Sequence, residues 1–280
     1  MVESALKSQK PIAAYITSAT PAQPLRRRIS WRRFAPAVFV LALLLLWHLV
    51  THLALYPAFL IPPPKAVWDK FWQVLGNGLL LDHASVTLYQ MLMGLGIGVS
   101  IGVLVGYAIA KSRLLEEILS PVVVAFQSTP IVAYAPLLII WFGGGVTSKI
   151  VTCALIVFFP MLMNVVVGVR GVPQDQRDLL RLWNASAWQT FYQLELPAAL
   201  PILLTGLKTS ATLALIGAVV GEFVSANKGL GFLVNLARTQ FDTPLVFVVV
   251  LSMTALSLSL YSLVSMLEWR LLRARRQTAE

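Results

Sequence analysis

The chain has 280 residues, of which 58% are apolar and only 12% charged, and its formal net charge is +10. A soluble domain carries about 25% charged residues, so this composition excludes an ordinary soluble fold. In a soluble protein the basic balance would point to nucleic acid; here Lys and Arg cluster beside apolar runs, which points to membrane topology and anionic lipid heads.

Residues 1–33 are polar and mixed, with Pro11, Pro21 and Pro24, and are expected to form a disordered cytoplasmic tail. Six segments then reach the roughly 20 mostly apolar residues that a spanning helix needs: 34–54, 84–110, 118–148, 150–170, 200–223 and 243–267. The first is too long, and lies too far into the chain, for a cleaved signal; it reads as a retained helix. After it, Ile61-Pro62-Pro63-Pro64 ends an extended stretch. The residues behind it place Val67, Phe71 and Val74 with Trp68 and Trp72, the pattern of a short helix lying in the interface.

The second span carries Gly94, Gly98, Gly102 and Gly106, then Ala110, each four apart. That spacing makes one ridge of small residues along which another backbone can approach closely. The third span holds Pro121, Pro130 and Pro136, with Gln127, Ser128 and Thr129 beside the middle one. A proline break with polar neighbours suits either a transport pathway or a locally satisfied kink. Cys153 stands alone in an apolar run and permits no internal disulfide and no metal cluster. Asn164 needs a partner in hydrocarbon, from another helix or from a solute. His48 and His52 lie one turn apart without an evident third metal ligand.

The 171–201 stretch is too long for a simple connection. It parses as two short helices around a turn. Pro173 suits a first helical position, and Leu179, Leu182 and Trp183 repeat at helical spacing. Asn184 suits a left-handed helix end. Ser186 and Gln189 make a capping box for the second helix, where Phe191 and Leu194 are candidate buried positions. Pro197 is expected to stop that helix and Pro201 to start the next span. In that span Lys208 suits snorkelling or bracing the loop. Glu222 is open to three readings: facing a pathway, pairing with Lys228, or sitting in interfacial water. The last span ends near residue 267, leaving a basic tail over 268–280.

Six spans put both termini on one side. Most Lys and Arg lie there, in the two tails and at Lys111, Arg113, Arg170, Arg177 and Arg181, whereas Lys65, Lys70, Lys149, Lys228 and Arg238 fall on the other. Both termini are therefore expected in the cytoplasm of a cell with this protein in its plasma membrane.

The residues of the loop resemble the coupling ("EAA") loop of permeases of binding-protein-dependent ABC importers. Ala185-Ser186, Trp188-Gln189, Phe191 and the run Leu196-Pro197-Ala198-Ala199-Leu200-Pro201 carry the likeness. Asp178 stands where the family has Glu, Leu179 and Leu180 where it has two alanines, and Asn184 where it has Gly. Residues 130–143, Phe158-Phe159-Pro160 and 217–223 are similar to the nitrate/sulfonate/taurine branch. Residues 209–223 with Gly229-Leu230-Gly231 look most like importers of riboflavin or of a thiamine pyrimidine precursor. The likeness runs from about residue 62 to 267.

The resemblance implies an all-α, polytopic, type I importer-like fold of six transmembrane helices over 34–267, with a coupling loop at 171–199. It implies a non-catalytic permease subunit. Asp178, Leu179, Leu180, Trp183, Asn184, Ala185 and Ser186 would meet a separate ATP-binding subunit. A solute-binding protein outside and a second copy of the chain would be the other partners. The chain has no phosphate-binding G-x-x-x-x-G-K-[ST] motif, so ATP would be used by the partner and no cofactor is expected here. Gln127, Thr129, Asn164 and Glu222 are candidate pathway residues. An importer of sulfonate, taurine or nitrate remains an alternative. An ion-coupled secondary transporter would want charged groups deep in the spans, and a membrane enzyme a nucleophile with its base or a metal set.

Overall fold

A computed structural model describes residues 34–53 and 55–278, apart from the side chains of Ile131 and of residues 274–278. The expected tail over 1–33 and the end of the first expected span, Ala54, lie outside the described residues. Every regular element among the described residues is helical. Leu46 and Trp47 mark the border between two compact units.

The first helix, α1 (Ala35–His52), is apolar all round, and Val38, Phe39, Leu41 and Leu45 are each more than half exposed. A helix of that kind needs lipid or protein around it. In the second unit, α2 (Pro64–Gly76) begins with Pro64 in its first turn, where a missing N–H costs nothing. It buries Val67 and Val74 and leaves Trp68 and Trp72 outside, as the interfacial pattern predicts.

Next come α3 (Leu79–Lys111), α4 (Arg113–Ser128), α5 (Ala135–Phe142) and α6 (Val146–Arg170). After them run α7 (Gln174–Leu182), α8 (Ala187–Thr190), α9 (Leu196–Ser225), α10 (Leu230–Thr239) and α11 (Thr243–Thr278). Among the described residues, five continuous helical stretches are long and apolar enough to cross a membrane, and a sixth span arises if a bent pair counts as one. That pair replaces the single third span expected over 118–148. Here α4 and the segment Val132–Phe142 meet at 88°. The cause is local: Pro130 pushes the residue before it out of helical conformation, and Thr129 is extended at φ −89, ψ 130.

The centre of the second unit is the trio α3, α6 and α9. The glycine ridge of α3 lies against α6. A Cβ built on Gly98 would come within 2.5 Å of the Ala154 carbonyl, and one on Gly106 within 2.8 Å of the Leu162 carbonyl. From the other side, Gly217 of α9 presses on the same helix, where a Cβ would lie 2.5 Å from Cys153 Cα. Helix backbones pack closely where no side chain separates them. A second cluster joins α2, α10 and α11 through Val67, Val74, Leu230, Leu233 and Val248, and Lys70 pairs with Asp242 at 2.8 Å across it.

Two expected boundaries are absent. Pro197 does not stop a helix and Pro201 does not start one: Ala187–Ser225 is a single helical run of 39 residues. A π-helical turn at Phe191–Glu195 explains this, with the Leu196 N–H reaching back to the Phe191 carbonyl. In regular α geometry the Pro197 ring would meet the carbonyl four residues earlier; the wider π turn falls where that clash would occur. Likewise α11 continues to Thr278, so no break marks the expected boundary at 267.

Candidate functional site

The 171–195 segment joins α6 to α9 and stands at one end of the bundle. Pro173 is the N-cap of α7, at φ −57, one position earlier than expected. The far end of α7 closes as the sequence predicts. Asn184 is left-handed at φ 53. Its N–H donates to the Arg181 carbonyl at 3.0 Å, and the Ala185 N–H donates to the Leu180 carbonyl at 3.0 Å. These two bonds form a Schellman motif. Ser186 and Gln189 then form the capping box of α8, with the Gln189 N–H on Ser186 Oγ at 3.2 Å and the Ser186 N–H on Gln189 Oε1 at 2.7 Å.

This framework presents apolar side chains outward. Leu182 is 79% exposed and Trp183 73%, with Leu179 exposed on the same short helix and Trp188 and Tyr192 exposed beyond the turn. Leu180 and Ala185 are half-buried beneath them. Asp178 holds Arg181 at 3.0 Å and accepts from Gln174 at 3.2 Å, so it braces α7 from outside. Phe191 and Leu194 are half-buried rather than core residues.

Sequence reasoning missed the residue that anchors the loop. Glu195, in the π turn, is 1% exposed. It accepts from Lys111 Nζ at 2.5 Å and from the Tyr107 hydroxyl at 3.1 Å, both on α3, and lies 3.7 Å from the Arg177 guanidinium of α7. Arg177 in turn donates to the Val169 carbonyl of α6. One carboxylate thus ties α3, α7 and the start of α9. The available signal was an acid flanked by Leu194 and Leu196 at the edge of a span; its partner Lys111 is 84 residues away.

At the opposite end of the bundle, Glu222 is 1% exposed. It pairs with no lysine at the surface. Its Oε1 accepts from the Thr87 hydroxyl at 2.8 Å and its Oε2 from the Gly231 N–H at 2.6 Å. Thr87 Oγ accepts from the Leu230 N–H at 2.7 Å, and the Gly229 N–H donates to His83 Nδ1 at 3.1 Å. Gly229 has φ +117, and a Cβ there would collide with the Glu222 carboxylate, which gives Gly229-Leu230-Gly231 a structural reason. Lys228 pairs instead with Asp82 at 2.9 Å.

Other polar residues of the spans find different partners from those expected. Asn164 donates to the Pro160 carbonyl one turn back on its own helix at 2.8 Å, not across helices, and its side chain fills the space over Gly206. Lys208 does not brace the loop; it pairs with Glu268 of α11. Gln127 is exposed on α4 and lines an open cavity of about 430 Å³ with Ile156, Phe159 and Met163. Thr129 donates to the Ala125 carbonyl at 3.1 Å. Gln127 and Thr129 are therefore near the bend, while Glu222 belongs to a closed network.

Residues 98–273 match the family described as the binding-protein-dependent transport system inner membrane component. The chain is 42% identical over 258 residues to the riboflavin transport system permease protein RibX of Chloroflexus aurantiacus, covering 92% of this chain and 96% of the relative. It is 32% identical over 248 residues to the formylaminopyrimidine transport permease protein ThiX of Halalkalibacterium halodurans, covering 89% and 98% respectively. In three dimensions it is similar to a chain from a crystal structure of an amino acid ABC transporter, with a TM-score of 0.59 at 16% identity, across 71% of this chain and 96% of the other. That last likeness is one of fold.

Proposed function

This chain belongs to the family of binding-protein-dependent transport system inner membrane components, and we propose that it passes a riboflavin-type solute inward, driven by ATP hydrolysis in a separate subunit. Family membership implies an ATP-binding subunit and a substrate-binding protein as partners. The solute assignment rests on the 42% identity to a riboflavin permease along 92% of the chain. The loop end would face the cytoplasm, in keeping with its lysines and arginines.

The observation that carries the coupling role is the pair Leu182 and Trp183. Two large apolar side chains, 79% and 73% exposed, sit at the end of a short helix that closes in a Schellman motif and is held through Arg177 by Glu195. Exposed aromatic and aliphatic groups on a rigid support are the usual core of a protein contact. The ATP-binding subunit would cover them. Its closure would press on α7 and α8. Because α8 runs without a break into α9, and Glu195 ties the same segment to α3, the push would reach two spans at once. A second copy of the chain would complete the pore.

Reconstituting the permease with its ATP-binding subunit and binding protein in liposomes tests this reading. ATP-dependent riboflavin uptake is expected. Leu182→Glu with Trp183→Glu should cut uptake at least tenfold and release the ATP-binding subunit on purification, with helix content unchanged. Uptake and copurification at unchanged levels in that double variant would remove the coupling role.

A further inference from the structure

Two cavities adjoin at the loop end of the bundle, and their linings differ. One, of about 360 Å³, is an apolar groove. Val103, Leu104 and Tyr107 of α3 line it from one side, and Trp188, Phe191 and Leu203 from the α8–α9 run. The other, of about 240 Å³, has Lys111, Arg177, Arg181 and Glu195 as its charged lining, three cations against one acid. Ala187 lines both. The Lys111 ammonium stands 5.6 Å from the centre of the Tyr107 ring, so a cation sits where the apolar groove ends.

The order of residues along α3 sets the chemistry. Val103, Tyr107 and Lys111 are four apart and share one face of the helix. That face runs from aliphatic to aromatic to cationic over its last turns, the sequence of environments met on leaving a bilayer. Leu104 beside it is exposed. The cations are not used up by their partners. Lys111 shares Glu195 with Arg177 and stays partly exposed. Arg181 is exposed, and its pair with Asp178 lies along one short helix in reach of solvent, where such pairs hold weakly. A molecule that joins an apolar chain to a negative head matches both cavities. Helix α1 of a second copy would bring apolar side chains but no acid. A water-soluble subunit would not reach the depth of Val103 and Leu203 in their spans.

We propose that groove and basic pocket together bind one anionic phospholipid of the cytoplasmic leaflet, with an acyl chain along α3 and the phosphate on Lys111 and Arg181. The phosphate oxygens accept charge-assisted hydrogen bonds from the ammonium and the guanidinium, and the chain covers Leu104 and Trp188. A lipid seated there lies against both α3 and the start of the α8–α9 run, the two parts that Glu195 ties, and braces that joint from the bilayer side. The inference rests on the reading that the loop end faces the cytoplasm and does not depend on which solute is carried.

The test uses the permease with its ATP-binding subunit, stripped of lipid in detergent and followed by native mass spectrometry. The probes are phosphatidylglycerol, phosphatidylcholine with the same chains, and glycerol phosphate as a competing free head. One phosphatidylglycerol per permease copy is expected to bind about tenfold more tightly than phosphatidylcholine. Arg181→Gln, at an exposed position, should weaken phosphatidylglycerol about fivefold, the scale of one basic side chain beside an anionic lipid, and leave phosphatidylcholine unchanged. Adding Lys111→Gln should bring the two lipids level. Leu104→Trp, which fills the groove from an exposed position, should weaken both lipids. Arg113→Gln, at the same end but outside the pocket lining, should change neither. The inference is overturned if the two lipids bind the wild type alike, if Arg113→Gln acts as strongly as Arg181→Gln, which would mean diffuse attraction, or if glycerol phosphate displaces the lipid, which would mean a site for the head alone. It is also overturned if Leu104→Trp separates two permease copies without changing the lipid count, since a second copy would then fill the groove. Labelling of Arg113→Cys by an impermeant thiol reagent from either side of sealed vesicles judges the orientation separately, because binding in detergent does not depend on it.

Discussion

The two ends of the bundle each use one glutamate to hold α3, and they do so in opposite ways. At the loop end, Glu195 meets charged partners, and Lys111 keeps 38% of its side chain exposed. At the far end, Glu222 meets a hydroxyl and a backbone N–H and is 1% exposed. The first is an ion pair at an aqueous edge, screened by salt and open to rearrangement. The second is a buried hydrogen-bond network among uncharged partners, so opening it leaves polar groups unpaired. On the proposed reading, one end would yield when pushed and the other would stay fixed. Alternating access would use both properties, a lever and a fulcrum, in one subunit.

The far end should show the larger loss. Glu222→Leu removes the acceptor for the Gly231 N–H and one partner of Thr87. Leaving such groups unsatisfied costs about 1–3 kcal/mol each, so unfolding in detergent should shift by about 2–3 kcal/mol. That cost should be the same at low and high salt. A variant that unfolds like the wild type would end the description of this end as a fixed network.

At the loop end, Glu195→Gln keeps the shape and removes the charge. The loss should be about 1–2 kcal/mol at low salt, the scale of a hydrogen bond to a charged group reduced by the exposure of Lys111. In 1 M salt it should fall in part, because salt screens the exposed side of Lys111 while the Glu195 carboxylate stays buried. Uptake should fall more than ATP hydrolysis, since the loop would still dock but pass less of its movement to α3. A cost independent of salt would make the two ends alike and remove the contrast.

Local patterns were legible in the sequence, and long-range partners were not. The glycine ridge, the Asn184 turn and the Ser186–Gln189 cap each depend on residues within a turn or two, and each appears in the structure as read. Pro197 and Pro201 misled, because proline reads as a helix boundary unless something widens the turn before it, and no single residue announces a π turn. Glu195 and Lys149 stayed hidden for another reason. The partner of Glu195 is 84 residues distant, and nothing in the order of residues says that Lys149 is buried. Glu222 was singled out as a charge in a span, but its partners, a threonine of α3 and a backbone N–H in the Gly229-Leu230-Gly231 turn, carry no charge to reveal the pairing.

The smallest expected effect separates the docking tip from its anchor. Asn184 holds φ 53, a conformation that costs most L-residues about 1–2 kcal/mol and glycine almost nothing. Asn184→Gly should therefore leave unfolding and uptake unchanged, and Asn184→Ala should cost about 1 kcal/mol. Asn184→Val should cost slightly more, because a branched Cβ crowds the left-handed region further. The loss should appear first in uptake, since the strained turn tilts Leu182 and Trp183 away from their partner while Glu195 keeps the base of the loop on α3. Glycine, alanine and valine behaving alike would mean that the left-handed turn does not set the position of the exposed tip. The lever would then begin at the Glu195 ion pair, and α7 would serve only as padding between the subunits.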